Sequence, residues 1–253
     1  MDTGIILLLF AAGVVGGIVN AIAGGATLIT FPVMLMAGLP PVAANASNAV
    51  AISPGHLLAA IADREKIPPL DRALCLSIAV SIAGGMIGAL LLLALPDRLF
   101  VLPVPALIGF ATLLFAFAPH LQRWTARRRM DSRPSSVAGA CVLGGASIYG
   151  GFFGAGLGII LSAILSIADP GDIRRVKVLK NLLATGVSLA AITIFIVQGR
   201  VYWPQTAVML FGALAGGYIG GFLVRILPAR AVRIAVIVAG TVMTVVYARR
   251  YWF

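Results

Sequence analysis

The chain has 253 residues, 60% of them hydrophobic and only 11% charged, with nineteen Lys or Arg against eight Asp or Glu and a formal net charge of +11. A soluble domain carries about 25% charged residues, so a water-facing fold and a nucleic-acid binder are both excluded: the positive residues lie in breaks between apolar runs, where they set orientation in a membrane. Those runs are long and unbroken, which excludes the alternating pattern of a transmembrane barrel and leaves an all-α polytopic membrane protein.

The apolar segments fall at about 4–23, 26–37, 42–62, 73–95, 99–118, 136–154, 156–168, 174–197, 205–226 and 230–248. The start, Met1-Asp-Thr-Gly, has no basic region, so the first segment is expected to remain as a helix rather than be cleaved. It ends in Asn20-Ala-Ile-Ala-Gly-Gly-Ala-Thr-Leu-Ile-Thr-Phe-Pro32, after which twelve residues, Ala26 to Ala37, precede Gly38-Leu-Pro-Pro41. Twelve helical residues span roughly 18 Å, short of the ~30 Å hydrocarbon core. The third segment carries Asn45 and Asn48, three apart and so on one helix face. It also carries Ser53-Pro-Gly-His56, where Pro54 is expected to kink it. Cys75 and Cys141, in the fourth and sixth segments, read as small core residues and not as a disulfide or metal site.

The second half repeats the first. Gly84-Gly-Met-Ile-Gly-Ala89 matches Gly216-Gly-Tyr-Ile-Gly-Gly221, Leu95-Pro-Asp-Arg98 matches Leu227-Pro-Ala-Arg230, and Ala23-Gly24 matches Ala155-Gly156, all at one offset of 132; Asn48 matches Asn181 with a slip of one. Residues 1–120 and 136–253 are therefore expected to be two transmembrane repeats joined by a basic cytoplasmic linker, 121–135. Each repeat has five segments, the second of them short or re-entrant: 26–37 in one, 156–168 in the other. An odd count inverts the second repeat relative to the first. With both termini extracytoplasmic, fifteen of the nineteen positive residues lie in cytoplasmic loops and four outside, the asymmetry such an arrangement should show.

Short helices at matching positions of inverted repeats are a mark of secondary transporters. The short segments begin at Gly24-Gly25 and Gly156-Leu-Gly158. A helix N-terminus offers unpaired N–H groups and the positive end of the dipole, and glycine lets a ligand come close to them. The bland alternative is that these glycines serve close helix packing; their paired placement favours a site. The segment after the second short helix reads Arg174-Arg-Val-Lys-Val-Leu-Lys-Asn-Leu182. Lys177 suits snorkelling to the interface, whereas Lys180, about 9 Å into the segment, suits contact with a ligand. Asn20, Gly24, Gly25, Thr27, Asn45, Asn48, Gly156, Gly158, Lys180 and Asn181 form the candidate anion site, with Tyr149 beside it and His56 as a candidate proton relay. No Asp or Glu lies deep in an apolar segment, which disfavours a cation substrate. No cofactor or metal is expected.

The first glycine motif, Ala43-Ala-Asn-Ala-Ser-Asn-Ala-Val50, Gly150-Gly-Phe-Phe-Gly-Ala-Gly-Leu-Gly158 and Leu179-Lys-Asn-Leu182 together resemble the TauE/SafE family of sulfite exporters and sulfonate permeases, over essentially the whole chain. One departure is Ala26, where many members have a third glycine. The resemblance implies a multi-pass permease of the bacterial inner membrane for sulfite or an organosulfonate. It works by alternating access around a midplane site and is driven by an H+ or Na+ gradient. It leaves the exact anion, the direction and the oligomeric state open, a homodimer included. An intramembrane enzyme is the weaker reading: neither a Gly-x-Ser-Gly motif nor His-Glu-x-x-His occurs. A non-transporting accessory protein is the other rival.

Overall fold

The computed structural model describes residues 1–22, 24–62, 67–127, 136–168, 173–223 and 226–253. The described residues form twelve helices: α1 (Thr3–Ile22), α2 (Thr27–Met36), α3 (Pro41–Ile52), α4 (Pro54–Ala62), α5 (Arg72–Ala94), α6 (Asp97–Phe100), α7 (Val104–Arg127), α8 (Ser136–Phe152), α9 (Leu157–Ala168), α10 (Ile173–Val197), α11 (Trp203–Leu223) and α12 (Ala229–Tyr251). Six are long and apolar enough to cross a membrane: α1, α5, α7, α10, α11 and α12. At ten residues α2 extends roughly 15 Å and at twelve α9 extends roughly 18 Å, so neither crosses alone.

Local chemistry sets the ends. Pro40-Pro41 opens α3, the second proline at a first-turn position where the missing N–H costs nothing. The Asp71 carboxylate accepts a 2.8 Å bond from Leu74 N and caps α5. Asp97 accepts at 2.9 Å from Val42 N, tying α6 to the first turn of α3. The end of α2 is closed by Gly38 at φ +86°, with Leu39 N donating to Met34 O, the glycine-dependent helix stop.

The expected third segment is two helices. The chain breaks at Ser53 before Pro54, so the proline ends α3 rather than kinking a continuous helix. Its matching segment, α10, runs unbroken for 25 residues. In the fifth segment a separate turn, α6, precedes α7, which continues past Pro119 to Arg127; the first part of the expected 121–135 linker is thus helical, and 128–135 lies outside the described residues. Cys75 and Cys141 correct the sequence reading: both are free thiols exposed on the flanks of α5 and α8. Leu76, Met86 and Leu90 of α5 and Val142 of α8 are exposed with them. In a membrane bundle that outer face meets lipid, which accepts a small apolar thiol as readily as a core does.

Helix α1 packs most extensively on α11, α5 on α8, α10 on α5, and α7 on α12. Backbones meet because glycines line these seams. A Cβ on Gly17 would sit 2.6 Å from Gly217 N of α11, and one on Gly88 2.6 Å from Phe152 N at the end of α8. Phe31 and Met34 of α2, Phe115 of α7 and Tyr247 of α12 are almost wholly buried. The Tyr247 hydroxyl donates to Pro32 O at 2.9 Å, anchoring the short α2 in the interior.

Candidate functional site

The two short helices begin at similar breaks. At the first, Gly24 N bonds back to Val19 O at 3.1 Å and closes α1, and Gly24 and Gly25 turn the chain at φ +75° and +95°. At the second, Gly154 N bonds back to Tyr149 O at 3.1 Å and closes α8, and Gly154 and Gly156 turn the chain at φ +76° and +81°. L side chains rarely adopt these angles, so glycine here is a backbone requirement as well as an opening. Among the described residues no side chain caps the start of α2; the Leu28, Ile29 and Thr30 amides donate to Gly25 O and Ala26 O, which leaves those of Ala26 and Thr27.

The second break gathers three of the predicted polar groups, Tyr149, Asn45 and Lys180. The Tyr149 hydroxyl donates to Ala155 O at 2.6 Å and braces the turn. Asn45, buried on α3, donates from Nδ2 to Phe152 O at 2.9 Å, so α3 is pinned at the point where α8 ends. Lys180 of α10 lies half-buried over the start of α9: a Cβ on Gly158 would be 3.8 Å from Lys180 Cδ. Lys177, one turn earlier, is exposed. His56, in the first turn of α4, is within electrostatic range of Lys180. Asn48 and Asn181 are both 97% or more buried. Asn181 O accepts the Thr185 hydroxyl at 2.8 Å.

The first break is served differently. Asn20, at the end of α1, reaches the start of α4, where a Cβ on Gly55 would be 2.8 Å from its Nδ2. Thr27 is buried. A Cβ on Gly25 would lie 2.8 Å from the Phe115 ring, while Leu114, the preceding residue of α7, would be 3.4 Å from a Cβ on Gly156. Consecutive residues of α7 therefore touch both glycine breaks. Phe31 of α2 meets Phe153 edge-on, centroids 5.3 Å apart, joining α2 to the second break. Sequence reading passed over Leu114, Phe115 and Phe153. Apolar residues in apolar runs carry no signal of their own, and only the fold shows which of them face the breaks.

Two clefts flank this region on α10. One, of about 150 Å³, is bounded by Asp71 and Ser77 of the α5 region, Leu165 of α9 and Arg175, Leu179 and Leu183 of α10. The other, of about 80 Å³, lies between Ser53, Pro54 and Leu57 at the α3–α4 break and Thr185, Ser188 and Leu189 of α10. Lys180 and Asn181 line neither cleft; they lie within the stretch of α10, Arg175 to Leu183, whose Arg175, Leu179 and Leu183 face the first.

Against known proteins, a family model described as "Sulfite exporter TauE/SafE" matches residues 9–247. A "Probable membrane transporter protein" of Haemophilus influenzae is 31% identical over 250 residues, 96% of this chain and 95% of that protein. "Probable membrane transporter protein YfcA" of Escherichia coli K12 is 29% identical over 239 residues, 94% of this chain and 87% of that one. "Probable membrane transporter protein ORF9" of a Sinorhizobium species is 26% identical over 219 residues, covering 85% and 82%. No solved structure matches.

Proposed function

The chain belongs to the sulfite exporter TauE/SafE family of membrane transporters, and from that premise we propose that it carries a small sulfur-containing anion, sulfite or an organosulfonate, by alternating access. The observation that carries this reading is Lys180 lying over the glycine start of α9, beside the α8–α9 turn that Asn45 holds. An ammonium, amide donors and first-turn N–H groups suit an oxyanion. In the proposed site Gly24, Gly25, Gly156 and Gly158 present backbone, Thr27, Asn20, Asn45, Asn48 and Asn181 supply hydrogen bonds, and Lys180 supplies charge.

The packing is what two repeats related by a two-fold would give. If α1 corresponds to α8, α5 to α11 and α7 to α12, the pair α1·α11 exchanges with α5·α8, and α7·α12 maps onto itself. This supports a repeat relation between 1–120 and 136–253; the reading takes the two as inverted, with both termini extracytoplasmic in a bacterial inner membrane on the loop charges, and an H+ or Na+ gradient as the driving force.

The test is uptake of radiolabelled sulfite into proteoliposomes, with and without a pH gradient, for the wild type and Lys180→Ala. Gradient-dependent flux that the variant loses is the expected result. Flux intact in the variant would remove Lys180 from the site. If folded protein moves neither sulfite nor organosulfonates, the transport reading fails.

A further inference from the structure

Two buried amide oxygens of the proposed site, on Asn45 and Asn48, have no donor among the described residues. Asn45 and Asn48 lie three apart on α3, on one helix face, each 2% exposed. The Asn45 amide orientation is set by its bond from Nδ2 to Phe152 O, which leaves Oδ1 as the free end. Neither Asn45 Oδ1 nor Asn48 Oδ1 accepts a hydrogen bond from any described residue. A buried acceptor without a donor is costly, and native proteins almost always supply one. The oxygens of fully deprotonated sulfite are acceptors only. Against these two carbonyls they would add repulsion, not relief.

We infer that the site selects anions that bring their own hydrogen-bond donor, and so takes hydrogensulfite, in its hydroxyl form, in preference to the sulfite dianion. This rests on the sulfur-oxyanion reading above and sharpens it. One end of such a ligand, the acidic oxygens, meets Lys180 and the Gly158 N–H, since the Leu157, Ile159 and Ile160 amides of the same turn already donate to Gly154 O and Gly156 O. The other, the O–H, donates to Asn45 or Asn48. The charge agrees: one lysine beside the α9 start offsets a monoanion, whereas a dianion would carry an uncompensated charge into a low-dielectric interior. The proton then crosses as part of the substrate. Hydrogensulfite releases it on arrival, the electron pair of the O–H bond staying on the sulfite oxygen, and no intramembrane carboxylate relay is required.

The test uses the full chain in proteoliposomes and asks how well two unlabelled sulfonates compete with labelled sulfite at fixed pH. Hydroxyethanesulfonate and propanesulfonate have the same charge and nearly the same shape, and differ by a hydroxyl in place of a methyl. The hydroxylated compound should compete about tenfold or more better, the weight of one hydrogen bond to a buried acceptor. Asn48→Leu, which keeps the volume and removes the acceptor, should bring that ratio close to one. A second series varies pH across the second ionisation of sulfurous acid. KM should rise with pH in total sulfite yet stay constant when expressed as hydrogensulfite. Should both sulfonates prove too large to compete, this series decides. Sulfite flux with a wild-type ratio near one, or a KM constant in the dianion, would overturn the inference and leave the transport reading standing. Flux that requires Na+ with a ratio near one would assign the two oxygens to a cation and overturn it equally. Absence of sulfite flux in folded protein would remove both.

Discussion

Lys180 and the glycines at the two breaks are the residues whose side chains, or lack of them, bear most directly on function. A charged hydrogen bond in a partly buried site is worth about 1.5–3 kcal/mol, so Lys180→Ala should lower kcat/KM for the anion roughly ten- to a hundredfold. The protein should stay monodisperse in detergent, because Lys180 packs alkyl chain against Gly158 and anchors no core cluster. Gly24 and Gly25 separate two effects. Both sit at positive φ, which costs an alanine about 1–2 kcal/mol. A Cβ on Gly24 meets no described residue within 4 Å, while one on Gly25 would be 2.8 Å from the Phe115 ring. Gly25→Ala should therefore lower the thermal midpoint more than Gly24→Ala, measured by fluorescence-detected size exclusion after heating. Equal losses would show that the Phe115 ring moves aside freely and does not fix the first break.

Among the elements, the seams α1·α11 and α5·α8 hold the bundle, and both are built on glycine. The matched stretches Gly84-Gly-Met-Ile-Gly88 and Gly216-Gly-Tyr-Ile-Gly220 each turn glycines toward a partner backbone: Gly84 and Gly88 toward α8, Gly216 and Gly220 toward α1. Helices in lipid gain little from apolar burial, so close backbone approach has to supply the attraction. Gly88→Ala should destabilise by about 1–3 kcal/mol, as overpacking against an immovable backbone does. Gly145→Ala, on the same seam's α8 but with no described residue within 4 Å of its Cβ, should be neutral or mildly stabilising. Chemical denaturation in mixed micelles would read both. Similar losses for the two would mean that helix propensity and not seam contact decides. The α3–α4 break belongs to this scale too, since Pro54 opens a joint in the first half where α10 has none. That asymmetry places His56 at a helix start, facing the unbroken helix that carries Lys180.

For the molecule as a whole, the central proposal is two halves facing opposite ways across the bilayer. Fifteen of nineteen positive residues on one side is the sequence basis for placing both termini outside. In a cysteine-less background, single cysteines at Thr3 and Phe253 should react with an impermeant maleimide added outside intact cells, and one at Ser132 should not. Termini reacting from opposite sides would break the odd-segment parity on which the inversion depends.

Much of this was legible without coordinates. Hydropathy alone determined an all-helical membrane protein, because lipid leaves the backbone few other solutions. Internal matches at offset 132 marked the glycine seams. The Gly24-Gly25 and Gly156-Gly158 breaks announced the two short helices, since chain-stopping chemistry is local. Lys180 and Asn45 were legible as polar groups in apolar runs. Other features depended on tertiary structure, because they rest on which surfaces meet. Cys75 and Cys141 face outward, since a membrane bundle has apolar environments on both sides and composition cannot tell them apart. Only packing shows Phe115 beside Gly25, Leu114 beside Gly156 and Phe153 against Phe31. Whether Asn45 would spend its amide on Phe152 O, and leave its oxygen buried without a donor among the described residues, depended on where α8 ends in space. No spacing along the chain encodes that.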